Sequence, residues 1–348
     1  MNSTNFEATP LFFDTAYLLR YLILILSAFG LVTNIIHIGF LSRILRSYPI
    51  SIGSLVISIS DFLMFTTRFT VETVEIVTFV DHRNCFGYVN RADLLFKFLT
   101  ESIYFISDNV INWMIISMCF LQIFDFKRIG ESIWTFKTTA TVALAAVFFA
   151  ALFVFLQIIS AGIVILQLPY SECSQENLYQ NYMENEKNWM TDFANTMNFI
   201  TVFSIFLERG LNFIFVFYLI KLNWKSKENV KKSNCKLICF LHLSFVVTFI
   251  FYEVVNIWLF ETKMAGLDNQ DNSILPTEIT ILIKCIGATF RPFLILFLSL
   301  DYQKTVREFF IISTGQSTVA LHPSTSRNHI SRKSNSESRS NLSNQTFF

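Results

Sequence analysis

The sequence predicts an all-α membrane protein, a bundle of seven membrane-crossing helices followed by a short amphipathic helix. Of its 348 residues, 53% are hydrophobic, 40 are phenylalanine and only 15% are charged, a composition outside the range of ordinary soluble domains. Seven apolar segments each approach the roughly 20 residues that a helix needs to cross a bilayer. They lie at about 17–42, 50–80, 96–126, 138–168, 193–222, 235–260 and 277–300.

The third segment is the predicted centre of the bundle, because it is long enough to cross the membrane yet too polar to face lipid. At about 100° per residue, its polar side chains fall on one side of the helix. They are Lys97, Glu101, Asp108, Asn112, Cys119 and Gln122. A charge at the bilayer centre costs about 2.5 to 3.5 kcal/mol even on a mild insertion scale. We therefore expect this stripe to face other helices or a water-filled cavity.

The other segments differ in how charges interrupt them. The fourth has no charge from Thr138 to Ser171, whereas single charges break the second, fifth, sixth and seventh. After Leu300, apolar and charged residues lie on two sides of a short helix. This pattern is typical of a helix that lies along the inner membrane surface.

The distribution of lysine and arginine predicts an extracellular N-terminus and a cytoplasmic C-terminus in a multi-pass protein of the plasma membrane. With this orientation, the inner segments hold 17 basic residues and the outer segments hold four, as the positive-inside rule requires. We expect an extracellular N-terminus at residues 1–16, a seven-helix domain at 17–310 and a disordered cytoplasmic tail at 311–348. Asn2 begins a glycosylation sequon on the outer side, although such matches also arise by chance.

The outer half of the bundle contains the candidate ligand-binding residues Arg68, Glu72, Lys97, Glu101, Asp108, Glu253 and Lys284. In the simplest alternative, Arg68 with Glu72 and Lys97 with Glu101 only neutralise each other, because each pair is four residues apart. Glu253 and Lys284 have no such neighbour, so we expect them to pair across helices or to meet a ligand. The set predicts a pocket for a small polar ligand or a peptide rather than for an apolar odorant.

Cysteine positions predict one disulfide, between Cys85 and Cys173, which are the two cysteines expected on the oxidising outer side. Two free extracellular thiols are the alternative. The histidines lack metal-ligand spacing, and the sequence offers no nucleophile with an adjacent base and no glycine-rich phosphate loop. We therefore expect no enzymatic activity, no cofactor, no metal site and no nucleic-acid partner.

Several short motifs follow one another along the chain. They are Gly30-Leu-Val-Thr-Asn34-Ile-Ile-His37, Arg43-Ile-Leu-Arg46-Ser47, Ser58-Ile-Ser-Asp61, Trp113-Met114 and Leu298-Ser-Leu-Asp-Tyr302-Gln-Lys-Thr-Val306. Over roughly residues 17–310, their order and spacing resemble rhodopsin-like G-protein-coupled receptors. Within these, the chain is most similar to the nematode serpentine receptors of class w, relatives of FMRFamide-type peptide receptors.

The resemblance implies a switching network made of Asn34, Asp61, Gln122, Arg291, Pro292 and Tyr302. Asn34 and Asp61 match the polar pair between the first two helices of the family. Gln122 stands where the family has the arginine that contacts the G protein, and Arg291 stands where it has the asparagine of an Asn-Pro motif. These two departures leave the fold intact and bring conventional activation into question.

The expected function is that of a chemosensory or neuropeptide receptor in the lipid bilayer. A ligand in the outer half would shift the bundle between two packings and open the cytoplasmic face to a heterotrimeric G protein. One alternative is a transporter or channel in which Arg68, Glu101, Asp108, Glu208 and Arg291 line a path for ions. Another is a receptor fold that does not couple to a G protein.

Overall fold

The computed structural model describes residues 10–45, 49–81, 88–127, 132–167, 171–173, 196, 207, 210–224, 229–264 and 271–313. The chain separates into two compact units, Met1–Arg307 and Glu308–Phe348. The first unit contains the helix bundle. Of the second, the described residues form the end of the last helix, where the rings of Phe309 and Phe310 meet edge to face at 5.8 Å.

Eight helices account for most of the described residues. They are α1 (Pro10–Ile44), α2 (Ile50–Asp81), α3 (Arg91–Lys127), α4 (Phe136–Gln167), α5 (Gly210–Trp224), α6 (Asn229–Met264), α7 (Asp271–Leu298) and α8 (Leu300–Ser313). Local sequence explains several of their starts. Pro10 begins α1, where its missing N–H leaves no bond unmade. Thr135 caps α4, because its Oγ1 accepts a hydrogen bond from the N–H of Thr138 at 3.1 Å.

Within the described residues, four helices are long and apolar enough to cross a membrane. Their spans are Leu18–Ile44, Ile50–Val77, Leu95–Lys127 and Glu278–Leu298. Shorter apolar helical stretches lie at Phe136–Leu152, Gly210–Trp224 and Asn234–Thr248. Each of these stretches overlaps one of the predicted segments, so the helical membrane fold is confirmed.

Helix α3 lies at the centre of the bundle, as its polar stripe predicts. It contacts α2, α4 and α6, while α7 packs between α6 and α1. In the most apolar part of α3, 67% of the residues are buried, against 28% in α1. Its buried apolar side, including Ile111, Met114, Ile115 and Met118, supplies much of the largest core cluster.

Glycines allow close approach at several helix contacts, two of which lie among α1, α2 and α3. A Cβ atom at Gly30 of α1 would lie 2.5 Å from the ring of Phe65 on α2. A Cβ atom at Gly53 of α2 would lie 2.6 Å from the sulfur of Met118 on α3. Both separations are far inside van der Waals contact, so the spacing of α1, α2 and α3 depends on these two glycines.

A short sheet departs from the expected all-helical fold. Strands β1 (Tyr88–Asn90) and β2 (Ser171–Cys173) pair in antiparallel register, with Tyr88 opposite Cys173. The pairing brings the chain after α4 alongside the segment that leads into α3. Cys85 and Asn2 lie outside the described residues, so the predicted disulfide and glycan remain predictions.

Candidate functional site

An ion-pair network joins four helices at the end of the bundle where α1, α3 and α7 begin, which is the outer end in the predicted orientation. Arg20 of α1 lies between two carboxylates, 3.0 Å from Glu75 of α2 and 3.1 Å from Glu278 of α7. Lys97 of α3 pairs with the other oxygen of Glu75 at 2.5 Å. Because Glu278 is buried and Lys97 is 44% exposed, the network runs from the bundle interior to its rim.

Deeper than this network, two cations lie beside the ring of Tyr104. The guanidinium carbon of Arg68 lies 4.1 Å from the ring centroid, and the ammonium of Lys284 lies 5.6 Å from it. Lys284 also donates to Asp108 of α3 at 3.1 Å. This ion pair fits the prediction that Lys284 finds a partner across helices.

The alternative in which charged residues four positions apart on one helix only neutralise each other is wrong. Lys97 bonds Glu75 of α2 rather than Glu101. Arg68 packs on Tyr104, and in the described part of the chain no ion pair joins it to Glu72. Helix geometry permitted both pairs, but carboxylates and aromatic rings of other helices provide closer partners.

Five candidate ligand residues therefore line the facing sides of α2 and α3, and Lys284 reaches them from α7. Arg68 and Glu72 are buried, while Lys97, Glu101 and Asp108 are partly exposed. The side chain of Glu253 lies outside the described residues. The arrangement offers both cations and carboxylates to a polar molecule in the outer half of the bundle.

Deeper in the bundle, Asp61 of α2 forms a buried ion pair with Arg291 of α7. The side chains are 1% and 6% exposed, so both charges have lost their hydration. The guanidinium of Arg291 also lies 5.9 Å from the ring of Phe245 on α6. Pro292 follows directly and is buried within α7, where it cannot donate the usual hydrogen bond to the preceding turn.

The matched polar pair of helices one and two is not bonded in this structure. The amide of Asn34 donates to the carbonyl of Gly30 at 2.9 Å, and its Oδ1 has no hydrogen-bond partner among the described residues. Asp61 instead pairs with Arg291. A guanidinium forms stronger hydrogen bonds with a carboxylate than a neutral amide does, which explains the change of partner.

Tyr302, at the start of α8, closes the inner side of this region. Its hydroxyl lies 2.5 Å from Nδ1 of His37 on α1. Burial raises the pKa of Tyr302, so the phenol keeps its proton and shares a hydrogen bond with the imidazole, whose tautomer decides which group donates. The contact ties α8 to α1 through one hydrogen bond between neutral groups.

The inner end of α3 carries a second hydrogen-bonded cluster. Gln122 is fully buried, and its Oε1 accepts a hydrogen bond from the indole N–H of Trp134 at 3.1 Å. Asp125, one turn later, accepts from the Ser132 hydroxyl at 2.8 Å and from the backbone N–H of Ile133 at 2.9 Å. These bonds fix the segment between α3 and α4 against α3.

Comparison with known protein families identifies the family to which this chain belongs. The family model described as "Serpentine type 7TM GPCR chemoreceptor Srw" matches residues 21–313. The chain belongs to the Srw family. Its resemblance to the class w serpentine receptors is thereby confirmed. A search of the curated proteins gives no match.

Membership in the Srw family defines the general activity. These are membrane-embedded G-protein-coupled chemoreceptors and not enzymes. The match begins within α1, one residue after Arg20, and ends at the last residue of α8, so it includes the contacts around Tyr104 and the hydrogen bonds of Gln122 and Asp125. It leaves open the ligand of this particular Srw receptor.

Sequence reasoning missed several residues of these clusters. Tyr104 lies on the predicted polar stripe of α3, four residues before Asp108, but aromatic residues on membrane helices usually pack in the apolar core. Arg20 and Glu278 lie at the ends of their spans, where charges normally meet water. Glu75 could have been found, because it follows Glu72 by three residues and shares its helix face.

Proposed function

We propose that this Srw receptor binds a small polar ligand or a peptide among the outer charges and signals through a heterotrimeric G protein. The observation that carries the proposal is the layer of Arg68, Tyr104, Lys284 and Asp108. Ionisable groups inside a membrane protein are costly and are normally retained for a function. An apolar odorant would offer no hydrogen bond to the buried guanidinium of Arg68, whose Nε has no partner among the described residues.

The orientation we propose places the outer cluster in the extracellular half. The excess of basic residues in the segments that would be cytoplasmic supports it. Epitope tags at the two ends, stained with and without permeabilisation, test it. Staining of a C-terminal tag on intact cells would reject this orientation.

The proposed disulfide between Cys85 and Cys173 would fasten the outer loop after α4 to the entrance of α3. Its support is the compartment of the two cysteines and the pairing of Cys173 with Tyr88, three residues after Cys85. Thiol labelling of intact cells before and after reduction tests the bond. Full labelling of both sites without reductant would contradict it. A shift in mass after glycosidase treatment tests glycosylation at Asn2.

Coupling is tested by expressing the receptor with a promiscuous G protein and applying a panel of polar small molecules and peptides. Membrane currents are recorded in the same cells, because the alternative is an ion pathway. We expect a ligand-dependent G-protein signal that is absent from untransfected cells. A ligand-dependent current that persists without any G protein would favour the channel instead.

A matched pair of variants links the signal to the proposed pocket. Lys284→Gln leaves Asp108 without its ion-pair partner, so an active ligand should lose potency by roughly tenfold or more. Lys304→Gln on α8 removes a cation from an exposed position and should leave potency unchanged. Equal potency of both variants and the wild type would place the ligand elsewhere.

A further inference from the structure

Arg68 is the buried cation of the outer half whose hydrogen bonding is least complete. Its side chain is in α2 and is 8% exposed, and its guanidinium packs on Tyr104. Its Nε has no hydrogen-bond partner within the described residues. Lys284, the other cation beside the same ring, is bonded to Asp108 at 3.1 Å. Arg68 therefore still lacks a hydrogen-bond acceptor for its Nε, whereas Lys284 already has a carboxylate partner.

The guanidinium cannot relieve its burial by losing a proton, since arginine stays charged at any accessible pH. Contact with an aromatic face offsets only part of the cost of burying an ion. Glu101 and Glu72 act on Arg68 through space, but neither carboxylate forms an ion pair with it among the described residues. An anion bonded directly to the guanidinium would compensate the rest of this cost.

We propose that Arg68 is the anchor for the carboxylate of a soluble ligand, with Tyr104 holding the guanidinium plane in position. The planar fork formed by Nε and one terminal nitrogen matches the two oxygens of a carboxylate. Lys284 remains paired with Asp108, so this ion pair adds no net charge to the site. This inference rests on the proposed function, because it names the chemical class of the ligand in the same outer site.

Glu72 favours a cationic ligand rather than a carboxylate, so the experiment has to distinguish the two. It lies one turn beyond Arg68, is 2% exposed, and its Oε2 has no hydrogen-bond partner in the described chain. If Glu72 dominated the site, the site would select cations. Measuring the charge preference of the site distinguishes the two assignments.

The experiment places a cysteine at Glu101, which is partly exposed and lies within electrostatic reach of Arg68. Its thiolate attacks a methanethiosulfonate reagent, forms a mixed disulfide and releases methanesulfinate. The probes are the anionic sulfonatoethyl reagent and the cationic trimethylammonioethyl reagent, applied from outside to intact cells. Mass spectrometry of the peptide that contains residue 101 gives the two rates, each divided by the rate for a free thiol.

With Arg68 present, the ratio of anionic to cationic rates should exceed one, and Arg68→Gln should lower it by roughly fivefold or more. Lys304→Gln also removes one cation, from an exposed position on α8 outside the site, so its ratio should stay at the parental value. A preference for the cationic reagent, or no labelling at all, overturns the inference.

Benzoate and benzamide then separate binding from simple attraction, since they differ in the carboxylate but share the ring. Benzoate at 10 mM should slow anionic labelling at least twofold, and benzamide should not. Arg68→Lys should keep the charge preference and lose the benzoate protection, because an ammonium lacks the planar fork. Equal effects of the two compounds, or no effect of either, reject a carboxylate site.

These outcomes are separate from those of the proposed function. The labelling requires neither an agonist nor a G protein. A receptor that signals but prefers the cationic reagent rejects only the carboxylate anchor. A protein that prefers the anionic reagent but opens a current rejects only the receptor assignment.

Discussion

Removing one member of the Asp61 and Arg291 ion pair should destabilise the bundle far more than removing both. The pair joins α2 to α7 with both side chains at 6% exposure or less. Deleting one partner of such a pair leaves an uncompensated buried charge, which costs about 3 to 5 kcal/mol. We therefore expect this loss for Arg291→Gln. Asp61→Asn should cost a similar amount, whereas the double variant should lie near the wild type, because two facing amides can hydrogen-bond each other and leave no buried charge.

The measurement is thermal unfolding of the purified receptor in nanodiscs, without ligand. At roughly 2 to 4 °C per kcal/mol for a chain of this size, each single variant should lower Tm by roughly 6 °C or more. The double variant should recover most of that loss, which gives a coupling energy of about 3 kcal/mol or more. Losses that simply add in the double variant would refute the reasoning, since they would mean that the two charges do not depend on each other.

Three smaller predictions test other contacts. Tyr302→Phe removes the hydrogen bond to the α1 imidazole and should lower the unfolding free energy by about 1 kcal/mol, measured as a shift in thermal midpoint; an unchanged midpoint would contradict the contact. Gly53→Leu should reduce surface expression because a side chain would meet Met118, whereas Gly39→Leu should not, since nothing lies within 4 Å of a Cβ there. Trp134→Phe keeps the ring but removes the indole donor, so basal G-protein signalling should rise at equal surface expression; unchanged signalling would show that this bond restrains nothing.

The helical membrane fold and the central position of α3 could be predicted because both follow from the one-dimensional distribution of polarity. A polar stripe on a membrane-length helix has to face protein, and in the structure α3 is enclosed by α2, α4 and α6. The same reasoning cannot predict which residues of neighbouring helices form ion pairs with one another. Lys97 had Glu101 four residues away, yet Glu75 of α2 lies closer in three dimensions.

The pairing of Asp61 with Arg291 shows the same limit more clearly. A motif comparison associated Asp61 with Asn34, because that is the pair expected from the family pattern. It also marked Arg291 as a departure without saying what the arginine would contact. Since 230 residues separate the two, periodicity within a helix carries no information about their distance. Arg291 and Asp61 could have been paired from the sequence, because a buried arginine needs a buried acid to compensate its charge.

These contacts indicate which part of the bundle is free to move when the receptor switches. Moving a two-state equilibrium from 1:99 to 99:1 requires about 5.5 kcal/mol of differential ligand affinity. Breaking the Asp61 and Arg291 pair would consume most of that energy, whereas the bond from Trp134 to Gln122 is worth about 1 kcal/mol. A ligand in the outer cluster is therefore expected to leave α2 and α7 joined and to loosen the inner end of α3. Cross-linking α2 to α7 beside the pair should accordingly preserve signalling, while cross-linking α3 to the Trp134 segment should abolish it.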